Sequence, residues 1–285
     1  MLRELEQFIA VAAAGTFTAA ARRVHLSQPA LTAAIQRLEH EVGAALFVRG
    51  RRGAELTAAG RALVPRAQAA LAAFADGKRA VAEVAGLAAG EVRVGGGATA
   101  CTYILPPVLA AFRRLRPGLR LSLREGYTDE LEAAIDDGSL DLAIITVDRR
   151  RPPAGPIARL GVHADDELIA VAAPGVDPRT APWVTFAPGS PTRALLLEKL
   201  PGAAIVMELG SIAAVKGNVR AGIGLALVSR LAVETDLARG SLVEVPLRFT
   251  PVRRRLAIRH RGTRYLTPAA AALLALLGSR QATRG

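Results

Sequence analysis

Residues 19–47 read "AAARRVHLSQPALTAAIQRLEHEVGAALF", and this stretch decides the fold of the first part of the chain. Two helical patterns flank a Ser-Gln-Pro step. Ser27 suits a helix N-cap, and Pro29 falls in the first turn, where a missing N–H breaks no helix bond. Leu31, Ile35 and Leu38 recur at i, i+4 and i+7, which gives that helix one apolar stripe. Gln28, Thr32, Ala33, Gln36 and Arg37 lie off the stripe. A core has no use for those amides, that hydroxyl and that guanidinium. The Gln28, Gln36 and Thr32 side chains suit hydrogen bonds to base edges in a DNA major groove, and Arg37 suits guanine or a phosphate. For any one of these residues a solvated helix face is the simpler account. For the whole order of elements it is not.

Upstream, Leu2, Leu5, Phe8, Ile9 and Ala12 predict a helix over 2–14, ended by Gly15. Thr16 caps a short helix, Phe17 to Val24, and "HLS" is the turn. Downstream, Gly43 ends the third helix. "LFVRGRRGAELT" then places two short apolar segments around a basic tip. Helix, turn, helix and basic hairpin make a winged helix-turn-helix. Arg49, Arg51 and Arg52 would meet the DNA backbone or minor groove and supply affinity rather than sequence choice. Thr57 caps a long helix over 58–84, with Pro65 near its start. Leu63, Ala67, Ala70, Phe74, Gly77, Val81 and Val84 form a heptad seam on it. A small winged domain cannot bury that seam, so the helix is expected to pair with a second chain. "GLAAGE" reads as a hinge.

Beyond residue 90 the pattern alternates strand and helix: "EVRVGGG", a helix over 103–115, "LRLSLREG", a helix over 129–136, "LDLAIIT". This βαβαβ run predicts a parallel sheet. A second set follows from "ELIAVAAP" to "IGLALVS", and "RRRLAIRH" with the helix after Thr267 ends the chain. Two α/β lobes are expected, with crossing strands near 146–151 and 246–253. A ligand belongs in the cleft between such lobes, facing helix N-termini. "GGGATACT" (95–102) and "APGSPTR" (187–193) each follow a strand and open a helix, and their small side chains, hydroxyls and free N–H groups suit an anion. Thr99, Thr102, Ser190 and Thr192 are the candidate contacts; capping alone explains each of them about as well. Cys101, at the same helix start, is a small pocket-lining candidate. A thiolate role there would need a base or resolving cysteine, and the sequence nominates none.

The stretch from Gly15 to Gly60 resembles the N-terminal domain of LysR-type transcriptional regulators. The matching features are the Phe-Thr-Ala-Ala-Ala run, Ser-Gln-Pro-Ala, Ile35 with Leu38-Glu39, Leu46-Phe47, and Leu56-Thr57 with Ala59-Gly60. "YILPPVLAAFRRLRPGLRLSLREG" and "DGSLDLAII" extend the resemblance into a two-lobed effector domain of periplasmic-binding-protein type. The resemblance implies DNA binding by Gln28, Pro29, Thr32 and neighbours such as Ser27. It also implies an antiparallel pairing of linker helices in a homodimer or homotetramer, and an effector contact at Thr146. Many members carry a basic or long polar residue where this chain has Ala33, so operator preference does not transfer from a relative. The expected fold is multidomain: a winged helix-turn-helix rich in α structure over 1–58, a dimerisation helix over 59–89, and an α/β effector domain over 90–285.

Composition agrees. The net charge of +12 fits a polyanionic partner, although an Arg-rich composition gives the same sum, and residues 1–90 hold only 11 Lys/Arg against 7 Asp/Glu. One cysteine permits no internal disulfide and favours a reducing compartment. The acidic start "MLRELEQ" is unlike a signal peptide, and "PAAAALLALLG" is too short to span a bilayer. The four histidines show no metal spacing. The expectation is a cytoplasmic regulator that binds promoter DNA and a small, anionic effector, with no membrane, metal, cofactor or catalytic residue. Two alternatives stand beside it: an α/β enzyme using Cys101, and a ligand-binding protein whose basic N-terminal unit serves assembly.

Overall fold

The computed structural model describes residues 1–50, 53–84, 90–148, 152–161 and 163–279. The chain divides into two compact units, Met1–Ala88 with Ala133–Ser139, and Ala89–Glu132 with Leu140–Gly285.

The first unit runs α1 (Leu2–Ala14), α2 (Phe17–Arg23), α3 (Gln28–Val42), β1 (Phe47–Gly50), β2 (Gly53–Leu56) and α4 (Ala58–Val84). Its punctuation is the one read in the sequence. Gly15 and Gly43 end α1 and α3 in the left-handed region, at φ 67° and 70°. Thr16 Oγ1 accepts the Ala19 N–H and Ser27 Oγ the Ala30 N–H. The turn between α2 and α3 places His25 at φ 54°, a conformation uncommon for a residue with a Cβ. Leu31, Ala34, Ile35 and Leu38 of α3 are buried. They belong to a core with Phe8, Val11, Ala20, Ala21, Leu46 and Phe47. Each large apolar side chain there contributes roughly 1.5–3 kcal/mol by leaving water. Phe47 sits between Phe8 and Phe17, with ring centroids 5.5 and 5.7 Å apart. The strands pair antiparallel, Phe47 opposite Leu56 and Arg49 opposite Ala54. Ala54 N donates to Gly15 O at 2.8 Å. Gly53 lies so close that a Cβ would stand 2.4 Å from that same oxygen. Thr57 Oγ1 donates to Ala45 O at 2.7 Å and accepts the Gly60 N–H at 2.9 Å, which fixes the start of α4.

The second unit runs β3 (Glu91–Gly96), a π-helical turn (Ala100–Ile104), α5 (Leu105–Leu115), β4 (Arg120–Glu125), α6 (Thr128–Asp136), β5 (Leu142–Val147), β6 (Ile157–Arg159), β7 (Asp165–Ala172), β8 (Trp183–Phe186), α7 (Pro191–Lys199), β9 (Ile205–Leu209), α8 (Ile212–Arg220), β10 (Ala226–Ser229), α9 (Arg230–Ala238), β11 (Val243–Val245), β12 (Val252–Arg259) and α10 (Pro268–Gly278). β3 pairs parallel with β4 and β5, as the βαβαβ pattern predicts. The main strand order is β10-β7-β12-β5-β3-β4. β12 is the crossing strand: its first half, Val252–Arg255, pairs with β7, and its second half, Arg255–Arg259, with β5. The other crossing lies later than 146–151, because β6 still pairs with the second half of β12, at Ala257–Arg259. The chain changes lobe after Arg159, where Ala164 O accepts the Leu256 N–H at 2.7 Å. The helix expected over 103–115 begins earlier, in the π-helical turn.

Each lobe has its own core. In the first, Val92, Val94, Leu142, Ile144 and Ile258 meet Leu105, Phe112, Leu273 and Leu277 from α5 and α10. In the second, β7 is covered on both faces, as strict alternation of side chains allows. Ile169 and Val171 pack with Val215, Val219 and Val233, and Leu168, Ala170 and Ala172 pack with Trp183, Leu196 and Leu225. β8 pairs parallel with β9 in a separate two-stranded sheet and is bridged to the residue before β10, Val184 N donating to Leu225 O at 2.8 Å.

Candidate functional site

The face of α3 opposite its buried stripe is open. Ser27, Gln28, Pro29, Gln36 and Arg37 are exposed, and Thr32 is half-buried. Two of these side chains have neighbours. Thr18 Oγ1 donates to Gln28 Oε1 at 3.1 Å, which leaves the Gln28 NH2 available as a donor. Arg37 stands 3.6 Å from Glu4 on α1, a weak pair because the arginine is largely solvated. Thr18 carries no sequence signal for this role, since it is ten residues from its partner. At the end of α3, Glu39 Oε1 accepts the N–H of Leu46 at 2.7 Å and of Phe47 at 3.3 Å, tying the helix to the first strand of the wing. Arg49 lies on β1; Arg51 and Arg52 lie outside the described residues. On α4 the heptad seam divides: Ala67 is buried in the core of the unit, while Ala70, Phe74, Gly77 and Val81 are exposed.

In the second unit a cavity of about 350 Å³ opens between the lobes, within the usual range for small-ligand sites. The starts of several helical elements line it: Thr99 before the π-helical turn, Thr128 of α6, Ser190, Pro191 and Thr192 at α7, Ile212 of α8, and Ser229 before α9. Thr146 lines it from the end of β5. A larger groove adjoins it and shares Thr128, Thr146, Thr192 and Arg254. Four of the candidate contacts, Thr99, Thr146, Ser190 and Thr192, thus meet in one cavity.

Two do not. Thr102 is exposed and Cys101 is buried, and neither lines the cavity. The thiol donates to Gly96 O at 3.2 Å and points beneath the turn. Burial, helped by the nearby Glu125 carboxylate, pushes it up to about 11. That is the reverse of an activated thiolate. The glycine run before it is packing as much as turn: a Cβ on Gly95 would stand 2.5 Å from Leu140 and 2.7 Å from Leu131. Among the described residues no group of His, Cys, Asp and Glu could hold a metal ion, and no helix is long and apolar enough to cross a membrane.

Sequence reasoning missed the centre of this site. Arg254 lines the cavity from β12, directly opposite Asp166 on β7. Asp166 accepts Arg254 Nε at 2.7 Å and Ser229 Oγ at 2.7 Å. Arg254 Nη2 also donates to Thr99 Oγ1 at 3.0 Å, which links the first lobe to the crossing strand. A second link crosses the cleft where Lys216 Nζ of α8 donates to the Tyr103 hydroxyl at 3.3 Å. "RRR" at 253–255 looks like any basic run, and only the pairing of β12 with β7 turns its middle residue inward.

Comparison with known proteins accounts for both units. Residues 2–61 match the bacterial regulatory helix-turn-helix protein model of the lysR family, and residues 85–282 match the LysR substrate binding domain. The HTH-type transcriptional regulator CbbR of Xanthobacter flavus is 34% identical over 296 residues, covering 97% of this chain and 86% of the relative. The uncharacterized HTH-type transcriptional regulator YeiE of Escherichia coli (strain K12) is 32% identical over 286 residues, covering 94% of each. The full-length structure of LysG from Corynebacterium glutamicum, with bound effector Arg, has a TM-score of 0.66 at 21% identity, over 96% of this chain and 98% of that one. The relatives are regulators rather than enzymes, which removes the reading of Cys101 as a nucleophile. A winged helix-turn-helix followed by two α/β lobes, matched along nearly its whole length, places this chain in the LysR family as a LysR-type transcriptional regulator with an effector-binding domain.

Proposed function

We propose that this regulator binds promoter DNA in the cytoplasm through α3 and the β1–β2 hairpin, and responds to a small anionic molecule held between the lobes of its second unit. Gln28, Thr32, Gln36 and Arg37 read base edges or phosphates, Ser27 and Pro29 set the helix start against the DNA, and Arg49, Arg51 and Arg52 hold the backbone. Residues 1–58 form the DNA-binding domain, 59–89 the pairing helix and 90–285 the effector domain. Two copies pair along the exposed seam of α4 as a homodimer, or as the dimer units of a homotetramer.

The observation that carries the effector reading is the convergence of helix starts and hydroxyls, with Arg254, on one cavity. Thr99, Thr146, Ser190 and Thr192 supply its hydrogen bonds. An anion there favours one arrangement of the lobes, which changes the spacing of the paired DNA-binding domains. CbbR and YeiE match almost equally well, so neither relative's target genes are carried over to this chain.

The test is a thermal-shift screen of the full-length protein against small organic acids and their uncharged amides, followed by gel retardation of its own promoter region with each hit. Acids that raise the melting temperature and alter DNA binding support the reading; amides acting as well as acids contradict it.

A further inference from the structure

Among the described residues, the cavity between the lobes is lined by one cation, Arg254, and part of its guanidinium is already engaged. Alternation along β12 leaves Arg253 and Arg255 exposed and turns Arg254 inward, its side chain 19% exposed. Asp166 opposite it is buried and takes both Nε, at 2.7 Å, and Nη2, at 2.6 Å. Nη2 has Thr99 as its second partner. Among the described residues, Nη1 has none. A guanidinium nitrogen with free N–H donors, on a residue that lines a cavity, is a site for an acceptor from outside the chain.

The surrounding charges limit what that acceptor is. Among the described residues lining the cavity, Arg254 is the sole cation, against the carboxylates of Glu125 and Glu130. Asp166 cancels the guanidinium charge at close range. A ligand bringing one carboxylate finds an N–H of Nη1 and, on the same cavity wall, the hydroxyls of Ser190 and Thr192. A ligand bringing a second or third negative charge finds no further cation among the described residues lining this cavity, where it meets carboxylates in a partly desolvated space; Arg230, Arg253 and Arg255 line only the adjoining groove.

We infer that Arg254 is the specificity-determining residue of the effector site: it binds a single carboxylate through Nη1 and restricts the effector to small monocarboxylates, with Asp166 setting that limit. This rests on the anionic reading of the cleft above. It also places the bound carboxylate beside the Arg254–Thr99 link between the lobes.

The test is calorimetric titration of the full-length protein at constant ionic strength. The probes are benzoate and pyruvate (one charge), malate and 3-phosphoglycerate (two or more), and benzamide (none). The inference predicts that the monocarboxylates bind wild type at least about tenfold more tightly than the polyanions. Arg254→Gln should lose about tenfold or more for the monocarboxylates. Because that change leaves Asp166 unpaired, the double variant Arg254→Gln/Asp166→Asn serves if the single one fails to fold, with the same loss expected. Asp166→Asn alone should narrow or reverse the preference, since the whole guanidinium becomes available. Anion binding that favours polyanions in wild type, or that is unchanged in the Arg254 variants, overturns this inference and leaves the anionic reading standing. Binding of benzamide as tight as that of benzoate, or no binding of any anion, overturns the anionic reading and this inference with it.

Discussion

Glu39 Oε1 accepts the backbone N–H of Leu46 at 2.7 Å, so the last turn of α3 and the first strand of the hairpin are held by one carboxylate. The same oxygen takes the Phe47 N–H. These are charge-assisted, partly buried bonds. The relative position of the helix and the wing is therefore tied by a half-buried side chain whose partners are backbone groups of the protein itself.

Replacing Glu39 with Ala should destabilise the full-length protein by roughly 1.5–3 kcal/mol, because two backbone donors lose their acceptor. Glu39→Gln retains a carbonyl acceptor and should cost less. Denaturant unfolding of the three proteins checks this. An unchanged midpoint for Glu39→Ala would show that water replaces the carboxylate at no cost.

Phe74 and Val81 are 54% and 68% exposed on the seam of α4, although both are apolar. If a second copy covers them, Phe74→Asp or Val81→Asp should weaken self-association by on the order of tenfold or more, measured by sedimentation velocity over a dilution series. Folding of each variant is checked by its unchanged helical circular dichroism. Full assembly in both variants would place the pairing surface elsewhere.

The Cys101 thiol should be inert at neutral pH. Its folded value, pushed up to about 11 from 9.0 by burial, means that the unfolded chain releases the proton first as pH rises. Its contribution to stability is full below about pH 9 and is lost as pH climbs towards 11. Alkylation of the native protein should be slow compared with the denatured chain, and Cys101→Ala should remove this part of the alkaline loss. Rapid labelling of the folded protein at pH 7 would contradict the buried geometry.

Much of the first unit was legible because its signals are local. Gly15, Thr16, Ser27, Gly43 and, in capping Gly60 N, Thr57 act on bonds within a few residues of themselves, and the i, i+4, i+7 stripe of Leu31, Ile35 and Leu38 needs no partner to be seen. The lobes were legible as strands and helices but not as a site. Thr99, Thr146, Ser190 and Thr192 do line the cavity, since helix starts at strand ends face a cleft in such folds. Cys101 and Thr102 do not: within the π-helical turn the Cys101 thiol is buried against Gly96 O and Thr102 faces solvent. Arg254, Asp166 and Ser229 are set by pairing across 63 to 88 residues, which no local pattern carries. The first crossing was misplaced for the same reason: β6 is too short to announce itself, and only its pairing with β12 keeps the chain in the first lobe.

The most direct measurement of the central claim is competition gel retardation of a DNA fragment from the protein's own promoter region, against random-sequence DNA, with wild type and Gln28→Ala across a range of salt concentrations. The account predicts that wild type prefers the promoter fragment and that its affinity falls steeply and log-linearly with salt. It also predicts that Gln28→Ala loses most of the preference, by about 1–3 kcal/mol, while keeping the salt slope. Equal binding of both DNAs by wild type, or a preference unchanged in Gln28→Ala, would contradict the assignment of the exposed face of α3 as the reader.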